Sequence, residues 1–304
     1  MLRDKGEGGI LSGYKKIINI HMNEETLKPA GEVVPSAPSL DSIVSLFKQA
    51  WGLYTGRFLK LLGVVLVPVL LGTAVLGGVS YLWENSTSPA VLWAAIIFAF
   101  ITMLVAAPLS QLALVSMVAV PNEETNILSV LKASLRKILP YLWVAILSSL
   151  AIFSGFVLFV IPGIFLGVTL MFTSFFLVHE NMRGREALVK SYEHVMGHWW
   201  PVFGRVFVLF VLMTGVSSII DSVLKAFGPV ASSLVGNVVT MPFIVAFLYL
   251  LYKNLKAIKA DPAPEVVQKR KKMFSILSSI GLVLFLLLLG GMVYLLKNLP
   301  LAVQ

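Results

Sequence analysis

Phe156-Val-Leu-Phe-Val-Ile-Pro-Gly-Ile-Phe-Leu-Gly167 decides the fold. It lies in the middle of Pro140–His179, a stretch without one Asp, Glu, Lys or Arg. As a single helix those residues, about forty of them, would extend roughly 60 Å. The hydrocarbon core of a bilayer is about 30 Å thick. Proline stops the preceding helical turn, and glycine permits a tight reversal. The stretch therefore reads as two membrane spans, 140–160 and 163–179, folded into a hairpin with its tip at Pro162–Gly163.

The whole chain has this character. Of 304 residues 58% are hydrophobic and 13% charged, against roughly 45–50% and 25% in soluble domains. Mean hydropathy is +0.89. A soluble enzyme, a disordered chain and a fibrous protein are all excluded, because so few charges cannot cover so much apolar surface in water. Five further apolar segments have spanning length: 58–82, 90–118, 201–224, 230–252 and 273–296. Pro68, Pro108 and Pro242 fall inside spans, where neighbouring helices can satisfy the freed backbone groups. Residues 1–39 are polar and Gly- and Pro-rich, and read as a flexible tail. They hold no apolar run long enough for a signal peptide, so the first span is expected to direct insertion.

The net charge of +9 suits a membrane protein whose cytoplasmic loops are basic. With the N-terminus inside, only Lys225 and Lys297 of the 24 lysines and arginines fall outside. That asymmetry predicts a multi-pass protein of the cell membrane, N-terminus cytoplasmic and C-terminus outside. No basic stripe with interleaved aromatics is present, so no nucleic-acid partner is expected. The chain has no cysteine, which removes disulfides and thiolate chemistry.

Short amphipathic helices precede three of the hairpins on the inner side. Their stripes are Ile43, Phe47, Ala50, Trp51 and Tyr54; then Ile127, Val130, Leu131, Leu135 and Ile138; then Leu188, Tyr192, Val195, Met196 and Trp199. Each is expected in the headgroup zone or on the inner end of the bundle. In the third, Glu186 and Lys190 are spaced to pair. Leu46-Phe-Lys48, Val130-Leu-Lys132 and Leu188-Val-Lys190 can be superposed, which suggests a repeated unit of interfacial helix, span, span. The expected fold is an all-α polytopic bundle of six spans as three hairpins. A seventh span, 273–304 with its short outer tail, follows a basic linker over 260–272, and the six-span domain covers 40–259.

Three stretches carry a family resemblance. They are Val160-Ile-Pro-Gly-Ile-Phe-Leu-Gly, Leu177-Val-His-Glu180, and Glu186-Ala-Leu-Val-Lys-Ser-Tyr-Glu-His-Val-Met-Gly-His-Trp-Trp200. The chain resembles a prokaryotic membrane-protein family that includes the membrane domain preceding the catalytic barrel of some glycerophosphoryl diester phosphodiesterases. The positions that match are Pro162, Gly163, Glu180, Ala187, Leu188, Ser191, Gly197, Trp199 and Trp200. Diesterase activity in that family resides in a separate barrel, usually of about 250 residues. The longest soluble stretch here is the 39-residue tail, so the resemblance implies the membrane domain and not the activity.

Chemistry-bearing residues are few. His194 and His198, four apart on one expected helix, could share a metal, with His179 and Glu180 completing the site if the chain folds back. Arg205 and Asp221 are ionisable residues of the fifth span. They stand about 24 Å apart along it and cannot pair. Gln111, Asn237 and Thr240 could line a path or bond between helices. Lys269, Arg270, Lys271 and Lys272 could contact anionic headgroups or anchor the last span. Asn85-Ser-Thr87 matches a glycosylation acceptor, without meaning in a prokaryote. No phosphate loop, catalytic triad, carboxylate pair or cofactor motif is present.

Three functions fit. The favoured one is a non-enzymatic membrane protein acting through lipid or partner-protein contacts. The second is a transporter or channel for a small solute, motivated by the kinked spans and by Gln111, Asn237 and Asp221. The third is a lipid-modifying membrane enzyme.

Overall fold

A computed structural model describes residues 39–86, 88–119, 126–227 and 229–298. The expected flexible tail lies outside them. Among the described residues the chain is helical, without strands. Seven helical segments are long and apolar enough to cross a membrane. The chain is therefore an all-α, multi-pass membrane protein.

The first helix, α1 (Ile43–Gly56), begins at Ser42, whose hydroxyl accepts from the Ser45 amide. It does not lie across the end of the bundle as its amphipathic pattern suggests. It runs along α10 (Pro229–Ile258), from Asn254, which bonds Asp41, to Val239, whose carbonyl accepts from Tyr54. Those two contacts are about 22 Å apart on α10. Phe47 fills the space between them, 4.8 Å from the Phe247 ring centre. The apolar stripe thus serves as a helix–helix interface.

Next come α2 (Phe58–Asn85) and α3 (Pro89–Ala119), packed along each other, with Pro68 and Pro108 inside them. Arg57, between α1 and α2, donates to the carbonyls of Met117 and Val118 at 3.2 and 3.4 Å. A cation there satisfies carbonyls left open by the last turn of α3. The short α4 (Ile127–Leu135), capped by Asn126, packs against α2 and α3.

The decisive stretch forms α5 (Ile138–Leu158) and α6 (Val160–Leu170). The break falls at Phe159, in extended conformation, three residues before Pro162. Pro162 sits in the first turn of α6, where its missing N–H costs nothing. Gly163 lets the helices touch: a Cβ at Gly155 would stand 3.0 Å from the Gly163 Cα. The span expected over 163–179 is itself interrupted. After Leu170 the chain turns at Met171–Phe172 and resumes as α7 (Thr173–His179). The Phe172 carbonyl accepts from both Phe175 and Phe176.

The helix expected at the interface with a polar face is α8 (Arg185–Val195), and it is enclosed. Most of it is buried, including Lys190, Ser191 and His194. The three superposable motifs therefore do not occupy equivalent places: Lys48 and Lys132 are exposed, whereas Lys190 is 6% exposed.

Three long helices complete the bundle. Helices α9 (Trp199–Leu224) and α10 pack together through a turn at Lys225–Phe227. The last helix, α11, spans Pro264–Asn298 without a break. The basic run at 269–272, expected in a linker, is therefore its helical start. Instead of trailing behind the bundle, α11 packs on α5 and α8. Ser278 donates to the Leu147 carbonyl at 3.1 Å. A Cβ on Gly281 would overlap the Leu150 carbonyl. A helix crossing backbone-to-backbone at glycine is a packing device available in lipid, where apolar side chains gain little from leaving their solvent.

Candidate functional site

Among the described residues, besides the Asp41–Asn254–Arg205 contacts ahead of α1, polar side chains gather in two places. The first is a knot beside α8. Asn181 at φ 58° and Gly184 at φ 57° turn the chain from α7 into α8, and Glu180 stands at the start of that turn. Its carboxylate accepts from Tyr252 at 3.0 Å and pairs with Lys256 at 2.6 Å. Lys190 lies 3.9 Å from its other oxygen and 2.5 Å from Asp261. The Lys190 carbonyl can only accept, so the Nδ1 of His194, 2.8 Å away, carries the imidazole proton. The bare His194 Nε2 is buried without a hydrogen-bond partner among the described residues, 3.7 Å from Asp261. Burial holds His194 below the usual imidazole range, and the Lys190 hydrogen bond holds Asp261 below the usual carboxylate range.

Cations close the helix ends around this knot. Lys259 donates to the carbonyls of Glu193 and Met196 at the end of α8. Lys137 donates to Val178 at the end of α7 at 2.9 Å. Both are pushed down from the ordinary lysine range by burial. From α11, Arg270 bonds Glu193 at 2.8 Å and covers the Tyr192 ring, while Lys271 lies 3.7 Å from Glu186. The expected Glu186–Lys190 pair is thus replaced: each partner reaches another element.

The second place is a crevice of about 510 Å³ where α9 and α10 separate. Val206, Leu209, Phe210, Ile244 and Leu248 make its apolar length. Thr214, Ser217, Ser218, Asp221 and Thr240 gather its polar groups. The Asp221 carboxylate faces Gly236, where a Cβ would come within 3.8 Å of it. Among the described residues no cation pairs with Asp221. Helix α9 buries little of itself, with 6% of its most apolar window inside the bundle. Phe207, Phe210 and Val211 face outward. On the other side of the same crevice, Met213 and Thr240 also line a smaller apolar cavity of about 320 Å³ beneath Phe47, Trp51 and Tyr54.

The residues singled out in the sequence are divided between these places. Glu180 and His194 enter the knot, and Asp221 and Thr240 the crevice. Arg205 does neither. Its guanidinium donates to the carbonyls of Leu40, Asp41 and Pro201, holding the chain ahead of α1. His194 and His198 do not share a helical face, because α8 ends at Val195 and Gly197 at φ 89° turns the chain into α9. Among the described residues no three His, Asp or Glu side chains gather for a metal. Gln111 is half-buried on α3. Asn237 is on α10, its side chain outside the described residues. Of the basic run, Arg270 and Lys271 pair with α8, while Lys269 and Lys272 are exposed.

The matched motif positions have local roles. Ser191 donates to the Thr169 carbonyl at 2.7 Å, tying α8 to α6. Trp199 stacks on Phe203 with ring centres 5.0 Å apart, and Trp200 points outward. Sequence reasoning missed Tyr252, Lys256, Lys259, Asp261, Glu193 and the Asp41–Asn254 pair. For Lys256 and Lys259 the only signal was charge counted toward orientation, and the others gave none. Compared with known proteins, the chain matches no family model, no curated protein and no solved structure.

Proposed function

We propose that this multi-pass protein is a non-enzymatic component of the cell membrane that acts by holding lipid, through the crevice between α9 and α10. The single observation behind this reading is an amphipathic cavity on the outermost face of the bundle. Its apolar length and clustered polar groups repeat the polarity of a lipid, and the medium around α9 is lipid. The chemically capable side chains of the knot support the non-enzymatic part of the reading. Glu180, Lys190, Lys256 and Asp261 are engaged with one another.

The same proposal places the N-terminus and the α8 end in the cytoplasm and the C-terminus outside, on the distribution of lysine and arginine. It keeps the resemblance to the membrane domain of glycerophosphoryl diester phosphodiesterases, on the sequence match at Pro162, Gly163, Glu180, Ser191, Gly197, Trp199 and Trp200. Lys269 and Lys272, exposed at the start of α11, are further points for anionic headgroups.

Native mass spectrometry of the full chain, extracted gently from its own membrane, tests the reading. Retained lipid that is lost when Leu209 and Ile244 are both replaced by tryptophan, filling the crevice, is the expected result. A bare chain, or lipid indifferent to filling, overturns it. A retained protein partner would instead favour the partner-contact form of the function. The absence of native cysteine makes single-cysteine labelling a direct test of orientation. Ser129→Cys should react only with permeant reagents in intact cells.

A further inference from the structure

We propose that the α9–α10 crevice selects lipids whose headgroup carries a protonated amine, with Asp221 as the residue that reads it; this rests on the lipid-holding function proposed above. The polar end holds a carboxylate and is rich in acceptors, beside the Thr214 and Ser217 hydroxyls, which can also donate. Asp221, as a carboxylate, offers acceptors only. The hydroxyl of Ser218 spends its hydrogen on the Thr214 carbonyl at 2.9 Å. The hydroxyl of Thr240 spends its hydrogen on the Gly236 carbonyl at 2.8 Å. What both hydroxyls still present to the cavity is lone pairs. An ammonium is the complementary group, with three donors and no acceptor. A headgroup bearing a phosphate and only hydroxyls would bring a second negative charge to a site that already holds one.

Depth agrees with this assignment. Asp221 stands in the last turn of α9, and Val206, at the other end of the crevice, is fifteen residues earlier. That is about 22 Å along the helix, and half the hydrocarbon core is about 15 Å. A lipid with its amine at Asp221 therefore runs its tails along Phe210 and Leu209 toward the bilayer centre, in the direction a leaflet lipid already points. Asp221 is exposed at this depth, so its carboxylate is open to an ammonium from the lipid.

The experiment uses the full chain reconstituted in vesicles of equal phosphatidylethanolamine and phosphatidylglycerol, followed by mass spectrometry of the lipid carried out of the vesicle. The wild-type chain should carry phosphatidylethanolamine in preference. Asp221→Asn, nearly the same shape, should lose that preference by about tenfold, as for one charge-assisted hydrogen bond. Asp221→Glu should restore part of it, which separates charge from folding. Equal carriage of both lipids by the wild type, or an unchanged preference in Asp221→Asn, overturns the headgroup inference and leaves the lipid-holding function standing. No carried lipid in the wild type overturns both.

Discussion

The Lys190 ammonium lies 2.5 Å from the Asp261 carboxylate and 3.9 Å from that of Glu180, so one buried lysine joins α8 to the turn that leads into it and to the distant segment after α10. The side chain of Lys190 is 8% exposed, that of Glu180 15% and that of Asp261 57%. Removing the most buried member should therefore do the most harm. Lys190→Met leaves Glu180 short of a partner and is expected to cost about 1–3 kcal/mol. Asp261→Asn, at a water-screened position, should cost less than about 1 kcal/mol. Thermal unfolding of both variants in one detergent measures the order. Equal losses would mean that Lys190 is not the joint of the knot.

Acid should loosen the same region through His194. Burial lowers its pKa from the ordinary 6.5, so the folded chain favours the neutral ring. The hydrogen bond to the Lys190 carbonyl pulls the other way, as do Asp261 facing the ring and Glu180 from further off, while the Lys190 ammonium adds to the lowering. The net direction is downward, so the unfolded chain binds the extra proton first. The stability that depends on a neutral His194 is complete above about pH 6.5 and is lost as pH falls below it. The wild-type melting temperature should fall more steeply between pH 7 and 5 than that of His194→Gln. Parallel slopes would remove His194 from the acid response.

How much of this was legible in the sequence follows from the range of each interaction. Spans and hairpins are local: Pro162, Gly163 and about twenty apolar residues on either side report them without knowledge of any partner. The placement of α8 is not local. Its pattern of Leu188, Tyr192 and Val195 is the same for a helix lying on lipid headgroups as for one enclosed by α6, α7 and α11. Only the structure shows that Arg270 covers Tyr192. The knot was half visible. Glu180 and His194 stood out as unusual residues, whereas Asp261 and Lys256 looked like ordinary loop and helix-end charges. Asp221 was visible as a charge within a span, but the cavity beside it depends on how far α9 stands from α10. That distance has no local signature.

The chain segment ahead of α1 gives a third prediction. Arg205 holds it through backbone carbonyls, bonding Asp41 from both Nε and Nη2. A guanidinium makes this fork, and an ammonium cannot reproduce its geometry. Arg205→Lys should keep the charge and still let α1 separate from α10 more often. Faster amide exchange over 43–56, with little change in α2 or α3, is the expected reading. Protection equal to the wild type would show that Phe47 and Tyr54 hold α1 without the clamp.

The crossing of α11 over α5 rests on Gly281, and the last prediction compares it with two glycines of the same helix. A Cβ at Gly281 would overlap the Leu150 carbonyl, which belongs to the backbone of α5 and cannot rotate away. At Gly290 and Gly291 a Cβ meets nothing within 4 Å. Alanine costs less than glycine in a helix by up to about 1 kcal/mol. Gly290→Ala and Gly291→Ala should therefore be neutral or mildly stabilising. Gly281→Ala gains the same propensity but must push two helices apart, for a net loss of about 1–3 kcal/mol. The displacement should also loosen the hydrogen bond from Ser278 to Leu147, one turn away. Melting temperatures of the three variants decide the matter: a Gly281→Ala chain as stable as the other two would mean that α11 does not cross α5 at that glycine.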